Sequence, residues 1–541
     1  MQHLKSLVNI HGRAGSRSGW NMPVIVLAFW VAGSLMFAGC TTLPRGYPRT
    51  VSTALADTRQ TRLRRWVAPL MAEHPAESGV HPLRTGMDAF VARVALADVA
   101  ERSLDVQYFI WHADTTGKLL AERLLRAADR GVRVRLLLDD LHTASLDRGL
   151  GALDQHPNIE IRIFNPFGLR DARILDFLSS FARLNRRMHN KSFTADNQAT
   201  VVGGRNVGDE YFGAGTDLAF RDLDLLAVGP VVPQVSAVFD EYWNSEFAVP
   251  LAVVTGDRAT PPEIDERRAA LARHTEETRG SAYGRAAMET DMAAALATGV
   301  LPFFWGRAQA VFDRPAKAGS DPTDRATHLG PQLWQVVEGA TSEVILVSPY
   351  FVPGEGGVAL LSELRRRGVR VEVVTNSLAS SDVPAVHAGY APHREDLLQA
   401  GVELYELKPT AFERGRREKK DDSGSEGLGS GSRAGLHAKT FVVDRRVLFV
   451  GSFNLDPRSG LLNTEMGILV ESPALAESMA NALEQQLPEQ AFRLELWPGS
   501  TLEWVTREGG EEVRFDAEPF AGFWRRLEVR LLSLLPIKGQ L

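Results

Sequence analysis

One pattern occurs twice in this chain and limits what the chain can fold into. Residues 189–206 read HNKSFTADNQATVVGGRN and residues 437–454 read HAKTFVVDRRVLFVGSFN. In each copy a histidine is followed by lysine two residues on, by aspartate seven on, and by glycine fourteen on, where Gly-[Gly/Ser]-x-Asn begins. The residues between are β-branched or apolar, which predicts a strand, a tight turn and a second strand ending in a glycine-rich loop. A single His-x-Lys is commonly a solvated strand edge. Two copies with identical spacing leave chance little room.

Strand geometry sorts the roles. Side chains alternate faces along a strand, so His189 and Lys191 share one face, as do His437 and Lys439. Asp196 and Asp444 fall on the opposite parity, at Asp-Asn-Gln and Asp-Arg-Arg, and are read as shaping the hairpins rather than touching substrate. Asn206 and Asn454 follow small residues that let backbone approach a ligand closely. Each copy thus offers an imidazole, an ammonium and an amide on one surface. Two copies face to face would enclose a phosphate with cations and neutral donors.

After each Gly-x-Asn loop comes a strand that opens with an acid, DLDLLAV at Asp222 and EMGILV at Glu465. A catalytic histidine needs its other ring nitrogen held by an acceptor, which fixes the tautomer and stabilises the imidazolium. Asp222 and Glu465 are the candidates; Asp224, on the same parity as Asp222, is the alternative.

The surrounding chain repeats too. A strand over 103–110, a helix over 117–130 and an apolar strand over 132–139 form a βαβ unit. A strand over 344–350, a helix over 358–366 and a strand over 369–375 echo it, down to GVRV at Gly131 and again at Gly368. A further strand follows each unit, at 159–164 and 402–407, and then the His-Lys hairpin. The offset between halves grows from 237 residues at these glycines to 248 at the histidines. The Gly/Ser-rich, charged stretch 413–433 accounts for the growth and is expected to be disordered. The chain therefore reads as an internal duplication: an N-terminal segment 1–40, a tether 41–80, a first domain 81–260, a polar helical connector 261–299 and a second domain 300–541.

The doubled motif resembles the HxKxxxxD signature of the phospholipase D superfamily, intact in both copies. The likeness covers nearly all of the chain after residue 80. It is nearest to bacterial cardiolipin synthases of the C class, on segments such as LDVQYFIW, RLNRRMHNKSF, VGGRNVGDEYFGAG, GVELYELKP, LHAKTF and FNLDPRS with LLNTEMG. The resemblance implies an α/β architecture of two duplicated α/β/α sandwich domains with mixed sheets and one shared active site. It implies a phosphohistidine intermediate, with His189 as nucleophile and His437 as acid and base; the residues alone are symmetric on this. Lys191, Lys439, Asn206 and Asn454 would hold the non-bridging oxygens, and neither a metal nor another cofactor is required. The implied reaction moves a phosphatidyl group from a glycerophospholipid, phosphatidylethanolamine in this class, to phosphatidylglycerol. Hydrolysis to phosphatidic acid, nuclease action and non-catalytic lipid binding are the other readings. A net charge of −6 speaks against nucleic acid as a partner.

Cys40 is the only cysteine, which excludes an intrachain disulfide and a cysteine zinc site. Lys5, Arg13 and Arg17 precede an uncharged, mainly apolar run over 22–39 that ends Phe-Ala-Gly-Cys. Such a run is an export signal, similar to a bacterial lipoprotein signal with Cys40 as the acylated residue; an uncleaved membrane anchor is the other reading. Both put the protein at a membrane of the cell envelope, on the periplasmic side. Arg183, Arg186 and Arg187 form a basic cluster that either holds anionic head groups or is a solvated face. Trp524, Leu527, Leu531, Leu534 and Leu535 form an apolar stripe on a helix that also carries Arg525, Arg526 and Arg530. That helix either lies in the bilayer interface or docks on the protein body. The apolar run 299–305 is read as buried core or the lining of an acyl channel.

Overall fold

The computed structural model describes residues 42–214, 218–256, 263–409, 433–497 and 501–534. The first half contributes β1 (Ser78–Leu83), β2 (Ser103–Tyr108), β3 (Arg133–Asp139), β4 (Ile159–Phe164), β5 (Ser192–Ala195), β6 (Ala199–Gly203), β7 (Leu218–Arg221), β8 (Asp224–Val228) and β9 (Ala248–Pro250). The second contributes β10 (Phe304–Phe312), β11 (Glu343–Val347), β12 (Arg370–Asn376), β13 (Glu403–Leu407), β14 (Arg433–Leu436), β15 (Thr440–Val443), β16 (Val447–Gly451), β17 (Met466–Glu471), β18 (Ala491–Trp497), β19 (Thr501–Glu508) and β20 (Glu511–Phe515).

Pairing arranges them palindromically. The first half runs β9-β4-β3-β2-β5-β6-β8-β1. The second runs β10-β17-β16-β15-β11-β12-β13-β18, with β19 and β20 added at the edge. β1 and β10 join the halves antiparallel, Gly79 opposite Trp305. In each half three strands are parallel and the rest antiparallel, so both sheets are mixed. The repeated GVRV is a helix end: Gly131 and Gly368 take φ of 91° and 85°, where a Cβ would be strained, and turn the chain into β3 and β12.

Alternation on β3 shows why helices cover both faces. Val134, Leu136 and Leu138 enter a core with the helices Gly86–Val99 and Thr115–Asp129. Leu137 points the other way, into a core shared by both halves with the helices Val231–Trp243 and Pro473–Gln490. A third core fills the outer face of the second half. The connector forms the helices Glu263–Arg279, Ala282–Met288 and Asp291–Thr298 and packs Leu271 and Met292 into the first core. From the run 299–305, Leu301 is buried there and Phe303 and Trp305 pack against it, while Val300 is exposed.

The stretch 41–80 is not a free tether. Arg135 and Arg162 are buried on a sheet face and require acceptors, and they donate to Ser52 O at 2.9 Å and Thr50 O at 2.6 Å. The helix Arg62–Glu73 buries Leu63 and Val67, and β1 begins at Ser78. The run 22–39, Cys40, residues 413–432 and Leu535 lie outside the described residues. Among the described residues no helix is long and apolar enough to cross a membrane.

Candidate active site

Both hairpins turn through two left-handed residues, Asp196 and Asn197 in one and Asp444 and Arg445 in the other. The Asp196 carboxylate accepts the backbone N–H groups of Arg102 and Ser103 at 2.7 and 3.0 Å. Asp444 accepts those of Ser342 and Glu343 at 2.7 and 2.9 Å. These aspartates tie each turn to the strand that pairs with it, at the end of the hairpin away from the histidine.

The His-x-Lys segments do not lie within the hairpin ladders, as alternation alone would have it; they precede β5 and β15. Pairing between the halves holds them instead. β14 runs parallel to β7 with Leu436 opposite Arg221, and the His437 N–H donates to Arg221 O at 2.8 Å. The next position in that register sets His437 against Asp222. On the other side Met188 bridges Thr464 in parallel, and the His189 N–H donates to Thr464 O at 2.8 Å. That register sets His189 against Glu465. Accordingly Nδ1 of His437 meets Asp222 Oδ2 at 2.5 Å, and Nδ1 of His189 meets Glu465 Oε2 at 2.8 Å. Each half supplies the acid for the other half's histidine. Asp224 takes no part: it pairs with the buried Arg93 at 2.8 Å.

Both lysines are buried and reach back to their own motif. Lys191 Nζ donates to His189 O at 2.6 Å, and Lys439 Nζ donates to His437 O. The asparagines differ. Asn206 accepts from the Ile110 N–H at 3.2 Å and donates to the Tyr211 hydroxyl at 3.0 Å. Asn454 keeps a buried Oδ1 without a hydrogen-bond partner among the described residues. Aromatic edges wall the imidazoles, Phe109 at 5.0 Å from His189 and Tyr211 at 5.3 Å from His437. Ser459 donates to Glu465 Oε1 at 2.8 Å. Sequence reasoning missed these three. The one available signal was that Tyr211 and Ser459 each stand five residues after their motif's asparagine.

Electrostatics breaks the symmetry that the sequence leaves. Burial pushes Glu465 up to about 7, against the pull of Lys191 and of its serine hydrogen bonds. Burial also opposes ionisation of Asp222, but the charge and hydrogen bond of His437, with Lys439 and Arg205, hold it well below the carboxylate range. His189 is held well below the usual histidine value by burial, then by Lys191, Lys439 and His437. His437 is lowered by burial and Lys439, with Asp222 pulling the other way. Burial brings Lys439 down to about 8 and Lys191 well below its usual value. Both imidazoles are thus held toward the neutral form, His189 the more strongly, and Asp222 is the partner that favours a proton on His437. That pairing suits two-step displacement at phosphorus, one ring attacking while the other gives its proton to the leaving oxygen.

The arginine cluster is a correction: it is neither an open cationic patch nor a solvated face. Arg187 is buried beside Asp139 at 3.4 Å and donates to Asn165 O at 2.5 Å. Arg186 donates to Lys317 O at 3.2 Å, and Arg183 to Pro166 O at 2.9 Å. The chain between β4 and β5 has few ladder bonds, so its buried carbonyls take guanidinium donors. The fold also assembles one group of metal-ligand type among the described residues, His112, Asp114 and Glu210. His112 Nδ1 lies 3.2 Å from Glu210 Oε1, and both Asp114 oxygens already accept backbone N–H groups, from Gly117 and Asp209.

Comparison with known proteins agrees with this geometry. The family model described as cardiolipin synthase, PLD-like domain, matches twice, at residues 94–243 and 333–487. Cardiolipin synthase C of Escherichia coli K12 is 45% identical over 477 residues, covering 88% of this chain and 99% of that protein. Cardiolipin synthase A of Pseudomonas entomophila is 28% identical over 417 residues, 76% of this chain and 69% of that one. The crystal structure of phosphatidylserine synthase from Haemophilus influenzae Rd KW20 superposes with a TM-score of 0.51 at 14% identity, covering 79% of this chain and 92% of that one, a likeness of fold. This chain is an enzyme of the phospholipase D superfamily, and within it belongs to the family of cardiolipin synthases with phospholipase D-like domains.

Proposed function

We propose that the enzyme transfers a phosphatidyl group from phosphatidylethanolamine to phosphatidylglycerol, forming cardiolipin and releasing ethanolamine. The reciprocal dyads are the observation that carries the reading, because they place two unlike imidazoles at one seam. His189 Nε2 attacks phosphorus, a P–N bond forms, and the P–O bond to ethanolamine breaks as His437 donates its proton to that oxygen. The phosphatidylglycerol hydroxyl then gives its proton to His437 and attacks phosphorus, and the P–N bond breaks. Lys191, Lys439 and the two asparagine amides stabilise the non-bridging oxygens as their charge grows. The names of the relatives in Escherichia coli and Pseudomonas, cardiolipin synthases, support the product.

Purified protein given labelled phosphatidylethanolamine and phosphatidylglycerol should yield cardiolipin and ethanolamine in equal amounts. Phosphatidic acid without cardiolipin would make it a hydrolase and sink the proposal. We also place the enzyme on the periplasmic side of a membrane, on the strength of the run 22–39 and Cys40. Incorporation of labelled palmitate that disappears in Cys40→Ser is the expected outcome; unlabelled wild type would leave the anchor reading.

A further inference from the structure

Two segments of the molecule are amphipathic the wrong way round for a solvated surface. In the helix Arg173–Ser179 the charged Asp176 is fully buried, accepting the Gly168 N–H at 2.6 Å, whereas Ile174 is 78% and Leu178 70% exposed. In the helix Phe523–Ser533, Val529 is buried with Leu378 and Ala388, while Trp524 is 77% exposed and Phe523 and Leu531 also face outward. Of the sixteen large hydrophobic side chains exposed among the described residues, ten fall within 169–181 and 520–534. Concentration of that degree marks an interaction surface.

Both segments stand at the active-site seam, one on each side. Arg173 lies 3.3 Å from the Asp140 carboxylate, and the neighbouring Asp139 accepts the N–H of Met188, one residue before His189, at 2.8 Å. On the other side Asn376 donates to the carbonyl of Leu436, one residue before His437, at 3.0 Å and accepts from the Ser380 hydroxyl at 3.1 Å. Next to Ser380, Ser381 offers its carbonyl to Arg525 at 2.5 Å. Charge names the occupant. Although the chain is net −6, the C-terminal helix carries Arg525, Arg526 and the exposed Arg530 against Glu528.

We propose that the enzyme seats its active-site mouth on an anionic bilayer through these two apolar prongs, Ile174, Leu175 and Leu178 from the first half and Phe523, Trp524 and Leu531 from the second. Aromatic and aliphatic tips enter the acyl boundary, and the exposed Arg530 remains at the head groups. The proposal rests on the phospholipid reading above, because it is that reading that requires the mouth to face a membrane.

The single native cysteine makes a direct test simple. In a Cys40→Ser background, an environment-sensitive fluorophore is placed at Leu178→Cys, at Leu531→Cys and, as control, at the exposed Met288→Cys. Vesicles of phosphatidylethanolamine and phosphatidylglycerol should shift emission to the blue at 178 and 531 and leave 288 unchanged. Unshifted emission at either prong, as a protein-binding face would give, overturns the proposal, and so does an equal shift at 288. Equal shifts on phosphatidylcholine vesicles overturn the anionic preference. In a second arm, Ile174→Asp with Leu178→Asp, or Trp524→Asp with Leu531→Asp, should cut turnover on vesicles about tenfold and leave turnover in detergent micelles unchanged. Equal loss in both settings overturns it. Emission needs no chemistry, so a shift without cardiolipin formation refutes the proposed reaction and not the docking.

Discussion

Ser459 donates its hydroxyl to Glu465 Oε1 at 2.8 Å, and the other oxygen of the same carboxylate holds His189. The serine therefore acts on the first half's histidine from the second half's short helix Pro457–Leu461. A hydrogen bond to a carboxylate favours its charged form, so Ser459→Ala should raise the pKa of Glu465 further and move the acid limb of the pH–rate profile upward. Turnover should fall roughly tenfold, the worth of a hydrogen bond to a charged group. Ser459→Thr should restore most of it. A profile unmoved in Ser459→Ala would show that the bond does not matter.

The two histidines should fail differently. His189→Ala should abolish a covalent phosphoenzyme on any substrate. His437→Ala should slow turnover of phosphatidylethanolamine by at least ~10²-fold yet still form the phosphoenzyme with a p-nitrophenyl ester, whose leaving group needs no proton. Acid-quenched, labelled enzyme checks this; covalent label on His189→Ala and none on His437→Ala would reverse the assignment.

Glu465 ties stability to pH. Its folded value, about 7, stands above the ordinary 4.5, so between these values the folded protein holds a proton that the unfolded chain has released. The stability this contributes is complete below about 4.5 and is lost as pH rises to about 7. Glu465→Gln removes the dependence. Wild type should therefore lose on the order of 2 kcal/mol relative to Glu465→Gln between pH 5 and pH 8. Urea midpoints across that range measure it, and parallel curves would refute it.

Asp444 behaves in the opposite sense. Burial opposes its ionisation, but the backbone N–H groups of Glu343, Ser342 and Thr341 hold it well below its ordinary 3.8. Its contribution is full above that value and is lost as pH falls beneath it. Asp444→Ala should cost roughly 2–4 kcal/mol at neutral pH and still more than half of that at pH 3, because the folded carboxylate takes up its proton only at lower pH. Denaturant unfolding at both pH values decides.

Much of this was legible in the chain, and the exceptions share a cause. Periodicity and the repeated GVRV placed the βαβ units, because local sterics and burial act within a few residues. The arginines at 183, 186 and 187 were misread since sequence records their charge and not the carbonyls that surround them. The stretch 41–80 was misread because its partners, Arg135 and Arg162, are distant along the chain.

By itself the sequence determined that there are two His-Lys hairpins, two acids on the strands that follow, and two like halves to hold them. Only the tertiary structure decided that the acids cross over. Register between β7 and β14, and between Met188 and Thr464, sets each histidine against an acid more than two hundred residues away. Spacing within one copy cannot encode pairing between copies. Nor can it encode the neighbouring charges that make two motifs of the same spacing chemically different.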